Sequence, residues 1–256
     1  MRPLELAAGG VVLTGRAALF DKDGTLLDLQ APWSAWGAAL VSELEARCPQ
    51  VGEAALAAAI GLDGGRVVPD SVLAGGSVQM LAETATEHLA ACGIRHAEEQ
   101  VAAAIAGADE RVDPDALVRP LPGAGEVVRA CHEVTGAVGV VTADDTERAR
   151  AHLERLGLTD AVDVVVGADQ VEASKPDPAG LLRACELLGV APDQALYLGD
   201  SVHDAHAAAR GGLAGCVLVR PNLPEGLPMR AIHAPSWDEV AVTPNPPHAA
   251  DRRATS

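Results

Sequence analysis

The 256-residue sequence contains few aromatic residues, few lysines and no closely paired cysteines. Aromatic residues make up 2% of the chain against 48% for all hydrophobic residues, so its core has to be built from alanine, valine and leucine. The five cysteines never form a C-x-x-C pair, which disfavours a metal or redox role and predicts reduced thiols in a cytoplasmic protein. No apolar run approaches the roughly 20 residues of a membrane-spanning helix, and the N-terminal residues lack the extended apolar centre of a signal peptide.

Cationic residues are also scarce, because 19 Lys and Arg face 36 Asp and Glu and the formal net charge is −17. Nucleic acids and anionic membranes are poor candidates for partners, since proteins that bind them rely on a cationic surface. A small anionic molecule would still be possible if the site carried its own cations. Only two lysines occur, Lys22 and Lys175, and both lie among the motifs described below.

The first such motif follows a short apolar run. Residues 17–20 are too few for a helix and predict a buried strand, after which come Asp21, Asp23 and Gly24. Residues two apart on an extended segment point to the same side, so the two carboxylates could converge on one ligand. Convergent carboxylates repel each other unless a cation or a shared proton intervenes. A hard divalent ion such as Mg²⁺ is the usual solution, because it takes oxygen ligands and keeps several water molecules for a phosphate.

Alternating strand and helix patterns follow downstream. They predict an α/β fold with a doubly wound parallel sheet, interrupted by a helical insertion. The expected core comprises residues 1–29 and 120–242, the insertion residues 30–119, and a Pro-rich disordered tail residues 243–256. Residues 11–13 are interpreted as a short hairpin partner for the strand at 17–20.

Four further polar residues are positioned close to predicted strand ends, where open parallel sheets bind ligands. They are Thr142 after the strand 137–141, Lys175 before Pro176, Asp200 after the strand 195–198, and Asp204 one helical turn later. Each has an ordinary structural explanation, such as a strand-end threonine, a solvated lysine or a helix cap. Their joint occurrence in order with the first motif favours a functional site.

Together these segments resemble the haloacid dehalogenase superfamily, over nearly all of residues 17–219. The first family motif reads Asp-x-Asp-Gly-Thr-Leu, and the others are a Thr or Ser after an apolar strand, a Lys before Pro, and Gly-Asp-Ser with a spaced Asp. Within the superfamily the chain looks most like the phosphoglycolate phosphatases, whose α/β core carries an inserted helical cap. The corresponding segments here are residues 21–26, 140–142, 175–176 and 199–204.

The resemblance implies a phosphatase that forms a covalent intermediate. Asp21 would be the nucleophile that forms an aspartyl phosphate, and Asp23 would protonate the leaving alcohol and then activate water. Thr142 and Lys175 would bind the phosphate oxygens and neutralise their charge.

The resemblance also implies a Mg²⁺ cofactor. Asp21, Asp200 and the main-chain carbonyl of Asp23 would hold the ion, and Asp204 would orient Lys175 or the water molecules around the metal. His203 and His206, although close in sequence, are not assigned a role.

Substrate-reading residues are expected in the insertion. Residues 61–77 form an irregular, Gly-rich stretch between helical patterns, and Arg66 and Ser71 within it are predicted to bind substrate. Two positions depart from the family pattern: Ala143 replaces a frequent Asn, and Lys22 stands where most members have an apolar residue. Both differences concern the identity of the substrate.

Several alternative functions remain on the same core. A phosphosugar mutase of the β-phosphoglucomutase type would share the catalytic residues, whereas a haloacid dehalogenase would have no use for an acid at Asp23. A phosphonate hydrolase would need a lysine within residues 29–119, which has none. A non-catalytic binding protein would be expected to have lost Asp21 or Lys175. The favoured expectation is a cytoplasmic monomer or homodimer that acts on a small phosphate ester and binds neither nucleic acid nor membrane.

Overall fold

A computed structural model of the protein describes residues 2–28, 30–69, 71–222, 225–228 and 231–244. The chain divides into two compact units. The core unit comprises Met1–Leu26 and Pro120–Ser256, and the helical unit comprises Leu27–Arg119.

The strands are short and their bounds are as follows: β1 Leu4–Ala8, β2 Val11–Gly15, β3 Ala17–Phe20, β4 Leu62–Asp63, β5 Arg66–Val67, β6 Val138–Val141, β7 Val164–Val166, β8 Ala195–Gly199, β9 Gly215–Val219, β10 Ala231–Ala234 and β11 Ala241–Pro244. The α-helices are α1 Gln30–Arg47, α2 Glu53–Ile60, α3 Val72–Gly75, α4 Val78–Ala91, α5 Ala97–Arg111, α6 Ala124–Thr135, α7 Thr146–Arg155, α8 Ala179–Leu188 and α9 Val202–Arg210.

The core unit is built on a six-stranded sheet in the order β10-β9-β8-β3-β6-β7, and every pair in it is parallel. From β3 the chain passes to β6 and β7 on one side, then returns to β8 on the other side and continues to β9 and β10. The prediction of a doubly wound α/β fold is therefore confirmed. Because the winding direction reverses around β3, the carboxyl ends of β3, β6 and β8 form the crevice where this fold class binds ligands.

The central strands are fully buried because helices cover both faces of the sheet. Ala18 and Phe20 of β3 pack on the face covered by α6 and α7, and Ala17 and Leu19 pack on the face covered by α8 and α9. This alternation follows the two-residue period of an extended chain. It explains why the strands appear in the sequence as short, continuous apolar runs.

A second, three-stranded antiparallel sheet in the order β11-β1-β2 completes the core unit. The expectation that residues 11–13 pair with the strand at 17–20 was wrong, because β2 pairs with β1 instead. Gly9 and Gly10 connect the two strands with φ values of 55° and 78°, a backbone geometry that favours glycine and allows a tight hairpin.

The predicted start of a disordered tail at residue 243 was also wrong, since Thr243 and Pro244 pair with β1. Pro244 is tolerated because β11 is an edge strand, where a missing N–H donor need not disrupt the sheet. Residues 245–256 lie outside the described residues.

The helical unit has its own core, formed mainly by α1, α2, α4 and α5. Trp36 of α1 is buried and donates its indole N–H to Asp109 Oδ1 of α5 at 2.7 Å. The irregular stretch at residues 61–77 contains the small hairpin β4–β5 and the short helix α3, so this segment is more ordered than the sequence indicated. In the part of the chain that the structure describes, no helix combines the length and hydrophobicity needed to cross a membrane.

Candidate active site

The site residues predicted in the core unit meet at the carboxyl edge of the parallel sheet. Asp21 directly follows β3, Thr142 follows β6 and Asp200 follows β8, so the three come from adjacent strands. Lys175 reaches the same place from the loop between β7 and α8. Asp21 and Asp200 are 179 positions apart in the sequence, and the fold brings them together.

Lys175 is the centre of the first group of charged side chains. Its ammonium contacts Asp21 Oδ1 directly, lies 2.7 Å from Asp204 Oδ1, and lies 3.2 Å from the hydroxyl of Tyr197. Tyr197 in turn donates to Asp204 Oδ1 at 3.0 Å. The ammonium nitrogen therefore has three partners that fix its position beside Asp21.

Asp204 is held on both of its oxygens. Besides the contacts to Oδ1, its Oδ2 accepts the Ser201 hydroxyl at 2.7 Å, the Ser201 backbone N–H at 3.0 Å and the Asp200 backbone N–H at 3.3 Å. Ser201 and Asp204 form a reciprocal capping box at the start of α9. Asp204 thus contacts the Lys175 ammonium through Oδ1, while its Oδ2 caps the start of α9.

Burial makes the carboxyl groups of Asp21 and Asp200 costly to ionise, whereas Lys175 and Ser201 outweigh burial at Asp204 and lower its pKa. Burial raises the pKa of Asp21 to about 7, although Lys175 opposes the shift. Burial, reinforced by the neighbouring Asp21 and Asp204, also raises the pKa of Asp200 well above its usual range. Burial alone would lower the pKa of Lys175, but Asp204 and Asp21 outweigh it, and the net pKa is raised so that the ammonium stays charged. Ionisation of all three carboxylates would therefore give the site an excess of negative charge that one lysine does not neutralise.

A hard divalent cation fits this excess of charge. Oxygens of Asp21, Asp200 and Asp204 lie within 4.8 Å of one another, and carboxylates are the ligands that such cations prefer. The Asp200 carboxylate is oriented by the Thr25 hydroxyl, which donates to its Oδ1 at 3.1 Å. Gly24, with φ +81°, leaves the space that this carboxylate occupies, since a Cβ there would lie 2.4 Å from Asp200 Oδ2.

Asp23 belongs to a second group of charged side chains, together with Lys22, Asp144 and His152. Lys22 is fully buried, and its ammonium contacts both carboxylate oxygens of Asp23, at 2.8 Å and 2.7 Å. Burial raises the pKa of Asp23, but the charge of Lys22 outweighs it and the net pKa is lowered. Thr142 lies close to this group, because its hydroxyl accepts the backbone N–H of Asp144 at 3.2 Å.

Asp21 and Asp23 have different immediate partners, because Asp21 contacts Lys175 whereas Asp23 contacts Lys22. The two carboxyl groups are nevertheless close enough that the charge of Asp23 contributes to the raised pKa of Asp21, and the expectation that both face one ligand stays a prediction.

The remaining predicted residues lie in different environments. Arg66 is an exposed residue of β5, and Ser71 accepts the Ala74 backbone N–H as the N-cap of α3. Both belong to the helical unit. His203 and His206 are half-buried on α9, and neither joins a group of metal-ligating side chains among the residues that the structure describes.

Three residues of the site were missed by the sequence analysis: Tyr197, Asp144 and His152. Tyr197 is the only tyrosine of the chain and lies in a buried strand three residues before Asp200, a position that could have drawn attention to it. Asp144, three residues before Glu147, has the spacing of a helix N-cap, an ordinary structural role that conceals its contact with Lys22. His152 carries no signal in the sequence, since an isolated histidine on a helix is common and only the fold brings it next to Lys22.

Comparison with protein families identifies residues 16–212 as matching the haloacid dehalogenase-like hydrolases. Among curated proteins, the N-acetylmuramic acid 6-phosphate phosphatase of Pseudomonas aeruginosa is 32% identical over 209 residues, covering 77% of this chain and 78% of that protein. The validoxylamine A 7′-phosphate phosphatase of Streptomyces hygroscopicus subsp. limoneus is 32% identical, covering 56% and 67%. The phosphoglycolate phosphatase of Rhodospirillum rubrum is 41% identical, but the match covers only 41% of this chain and 44% of that protein.

Solved structures show the same fold. A HAD phosphatase from Thermococcus onnurineus superposes with a TM-score of 0.59 at 23% identity, covering 88% of this chain and 95% of the other. A HAD-superfamily hydrolase of subfamily IA from Geobacter sulfurreducens PCA gives a TM-score of 0.54 at 19% identity, covering 88% and 93%. At these identities the likeness establishes the architecture alone.

The position of Gly24 leads to a prediction about stability. Gly24→Ala places a methyl group against the Asp200 carboxylate in addition to straining a positive φ, whereas Gly212→Ala strains a φ of +68° with nothing within 4 Å. We expect Gly212→Ala to lower the free energy of unfolding by about 1 kcal/mol. We expect Gly24→Ala to lower it by a further ~1–3 kcal/mol because of the close contact.

Urea denaturation of the two variants and the wild type measures this difference. Equal losses of stability in the two variants would contradict a role for Gly24 in making room for Asp200.

Proposed function

The chain belongs to the haloacid dehalogenase-like hydrolases and is a phosphatase, and we propose that it hydrolyses small phosphate monoesters through an aspartyl phosphate formed on Asp21. The observation that carries this proposal is the contact between the buried Asp21 carboxylate and Lys175, next to Asp200 at the carboxyl edge of the sheet. A nucleophile of this kind requires a nearby cation, so that two anions can approach each other.

The proposed reaction has two steps. A carboxylate oxygen of Asp21 forms a bond to phosphorus while the bond from phosphorus to the leaving oxygen breaks, and the leaving oxygen keeps the electron pair and takes a proton from Asp23. Asp23 then accepts a proton from a water molecule, which attacks phosphorus and releases Asp21. Lys175 and Thr142 bind the transferred phosphoryl oxygens, and Asp204 holds Lys175 in position.

We propose Mg²⁺ as the cofactor. Asp21, Asp200 and the main-chain carbonyl of Asp23 would hold it, which suits the crowding of buried carboxylates at this edge. When bound, the ion neutralises charge on the phosphoryl oxygens. Asp204 is less suited to direct coordination because both of its oxygens already accept hydrogen bonds.

The substrate class is inferred from the relatives. Their names give N-acetylmuramic acid 6-phosphate, validoxylamine A 7′-phosphate and phosphoglycolate, all of them phosphorylated small molecules. We extend this class, and not any single compound, to the present chain. A phosphosugar mutase is the alternative, but these relatives are phosphatases, so hydrolysis is the better supported reaction. A cytoplasmic location remains a prediction.

We further propose that the helical unit reads the non-phosphate part of the substrate. It is inserted in the sequence between Asp23 and Thr142, and Arg66 is an exposed cation in an acidic chain. Ser71 remains a candidate, although its hydrogen bond at the start of α3 gives it a structural role that needs no substrate.

The proposed reaction predicts the behaviour of Asp21→Asn. An amide cannot form the acyl phosphate, so this variant should lose nearly all hydrolysis of a panel of phosphomonoesters in the presence of Mg²⁺, and a metal chelator should stop the wild type in the same way. Asp193→Asn, at an exposed position, is the matched control and should stay active. Release of phosphate by Asp21→Asn at more than a few per cent of the wild-type rate would contradict the proposal, and full activity in chelator would exclude the metal.

The proposed role of the helical unit predicts a selective effect of Arg66→Ala. It should raise KM for the best substrate of the panel and leave hydrolysis of 4-nitrophenyl phosphate nearly unchanged, because contacts to remote groups matter only for substrates that have them. Arg95→Ala, also exposed in the helical unit, is the control and should change neither. If Arg66→Ala lowers kcat/KM equally for both substrates, Arg66 does not read the substrate.

A further inference from the structure

Lys22 is a buried charged residue that the proposed reaction does not use. It lies between Asp21 and Asp23 in the sequence, yet its side chain is fully buried. Burial of an ammonium is unfavourable unless anionic and hydrogen-bonding partners surround it. The residues around the Lys22 ammonium should therefore show what compensates for its burial.

The partners of Lys22 come from three parts of the core unit. The ammonium contacts both oxygens of Asp23, lies 2.8 Å from Asp144 Oδ2 in the loop after β6, and lies 3.1 Å from His152 Nδ1 on α7. A lysine ammonium has three N–H donors and here meets three acceptor side chains, so its hydrogen-bonding capacity is matched by its surroundings. Because Lys22 has to donate to Nδ1, the proton of a neutral His152 lies on Nε2.

The ammonium also separates two carboxylates. Ligand atoms of Asp23, Asp144 and His152 lie within 4.8 Å of one another, which is a spacing that could hold a metal ion. The Lys22 nitrogen contacts all three residues and so supplies the positive charge that such a cluster needs. Without it, the carboxylates of Asp23 and Asp144 would face each other and repel.

Asp144 is itself held in place on its other oxygen, where Arg148 lies 3.4 Å from Oδ1. Its backbone N–H donates to the Thr142 hydroxyl at 3.2 Å. Lys22 therefore binds to a carboxylate, that of Asp144, which is itself held in place at the end of β6. This makes the ammonium a rigid attachment point for the Asp23 carboxylate, which is otherwise 22% exposed.

We propose that Lys22 is a positioning residue that holds the Asp23 carboxyl group in the orientation needed to protonate the leaving oxygen, with Asp144 and His152 holding Lys22. This inference rests on the proposed function. In the first step the P–O bond to the leaving group breaks as the bond from Asp21 to phosphorus forms, and the proton passes from Asp23 to the leaving oxygen. A misplaced Asp23 slows this step most for leaving groups that cannot depart without the proton. Because Lys22 lowers the pKa of Asp23, its removal favours the protonated acid, so a loss of activity in its absence reports the position of Asp23 and not a missing proton.

The test is the dependence of kcat/KM on the leaving group in Lys22→Met, a substitution that keeps an apolar stem of similar length and removes the charge. Wild type and variant are compared on 4-nitrophenyl phosphate, phenyl phosphate and simple alkyl phosphates. We expect kcat/KM to fall about 100-fold for alkyl phosphates and less than about 10-fold for 4-nitrophenyl phosphate, which needs little help from an acid. A purely structural role would lower all three by the same factor.

A double-mutant cycle with Asp23→Asn provides the second measurement. If Lys22 acts through Asp23, then adding Lys22→Met to Asp23→Asn should cause almost no further loss for alkyl phosphates. Asp144→Asn leaves Lys22 in place and removes the negative charge of one of its partners, so it should give a smaller shift in the same direction. This variant keeps the test available if Lys22→Met does not fold.

The outcomes separate the two levels of the proposal. A wild type that hydrolyses none of the esters would overturn the proposed function. If the wild type is active and Lys22→Met shows the same leaving-group dependence of kcat/KM, only the role of Lys22 is overturned. Asp144→Asn takes the place of Lys22→Met in this comparison if Lys22→Met does not fold. The role of Lys22 would also be overturned if Lys22→Met lowered kcat/KM for alkyl phosphates by the same factor in the wild type and in Asp23→Asn.

Discussion

Repulsion among the carboxylates at the carboxyl edge of the parallel sheet is the constraint on which the site depends. The chain, with a formal net charge of −17, has only two lysines, and each is placed against a separate group of these acids. Lys175 balances part of the charge of Asp21 and Asp204, and Lys22 balances Asp23 and Asp144. The first group has three acids beside one ammonium, so a divalent cation fits there, whereas in the second group the Lys22 ammonium itself contacts each acid.

Much of the fold could be predicted from the sequence because its sheet is buried on both faces. Strands such as β3, β6 and β8 have to be continuously apolar, and polar residues that follow them mark the ligand-binding edge. The antiparallel sheet was missed because β1 is only five residues long and its partner β11 comes from the far end of the chain. Such long-range pairing leaves no local signal. The two glycines between β1 and β2, Gly9 and Gly10, are typical of a hairpin turn, but the prediction for residues 11–13 did not use them.

The site could be predicted only in part, because some of its contacts also join distant parts of the chain. Asp21, Thr142, Lys175 and Asp200 follow strands or lie in recognisable motifs, so their positions could be inferred one by one. The direction of the Lys22 side chain could not be inferred, because strand alternation ends at Phe20 and its partners are 122 and 130 positions away. Residues that act by holding a catalytic group are defined by the tertiary structure, and sequence spacing does not reveal them.

The central claim is that Asp21 becomes phosphorylated during turnover, and trapping the intermediate tests it most directly. Asp23→Asn should slow release of the phosphoryl group, since the same carboxyl group activates water. After this variant is mixed with 4-nitrophenyl phosphate and Mg²⁺ and quenched in acid, mass spectrometry of its peptides should find a phosphoryl group on Asp21 and none after Asp21→Asn is added. A phosphoryl group on another residue, or release of nitrophenol with no phosphorylated peptide, would contradict the account.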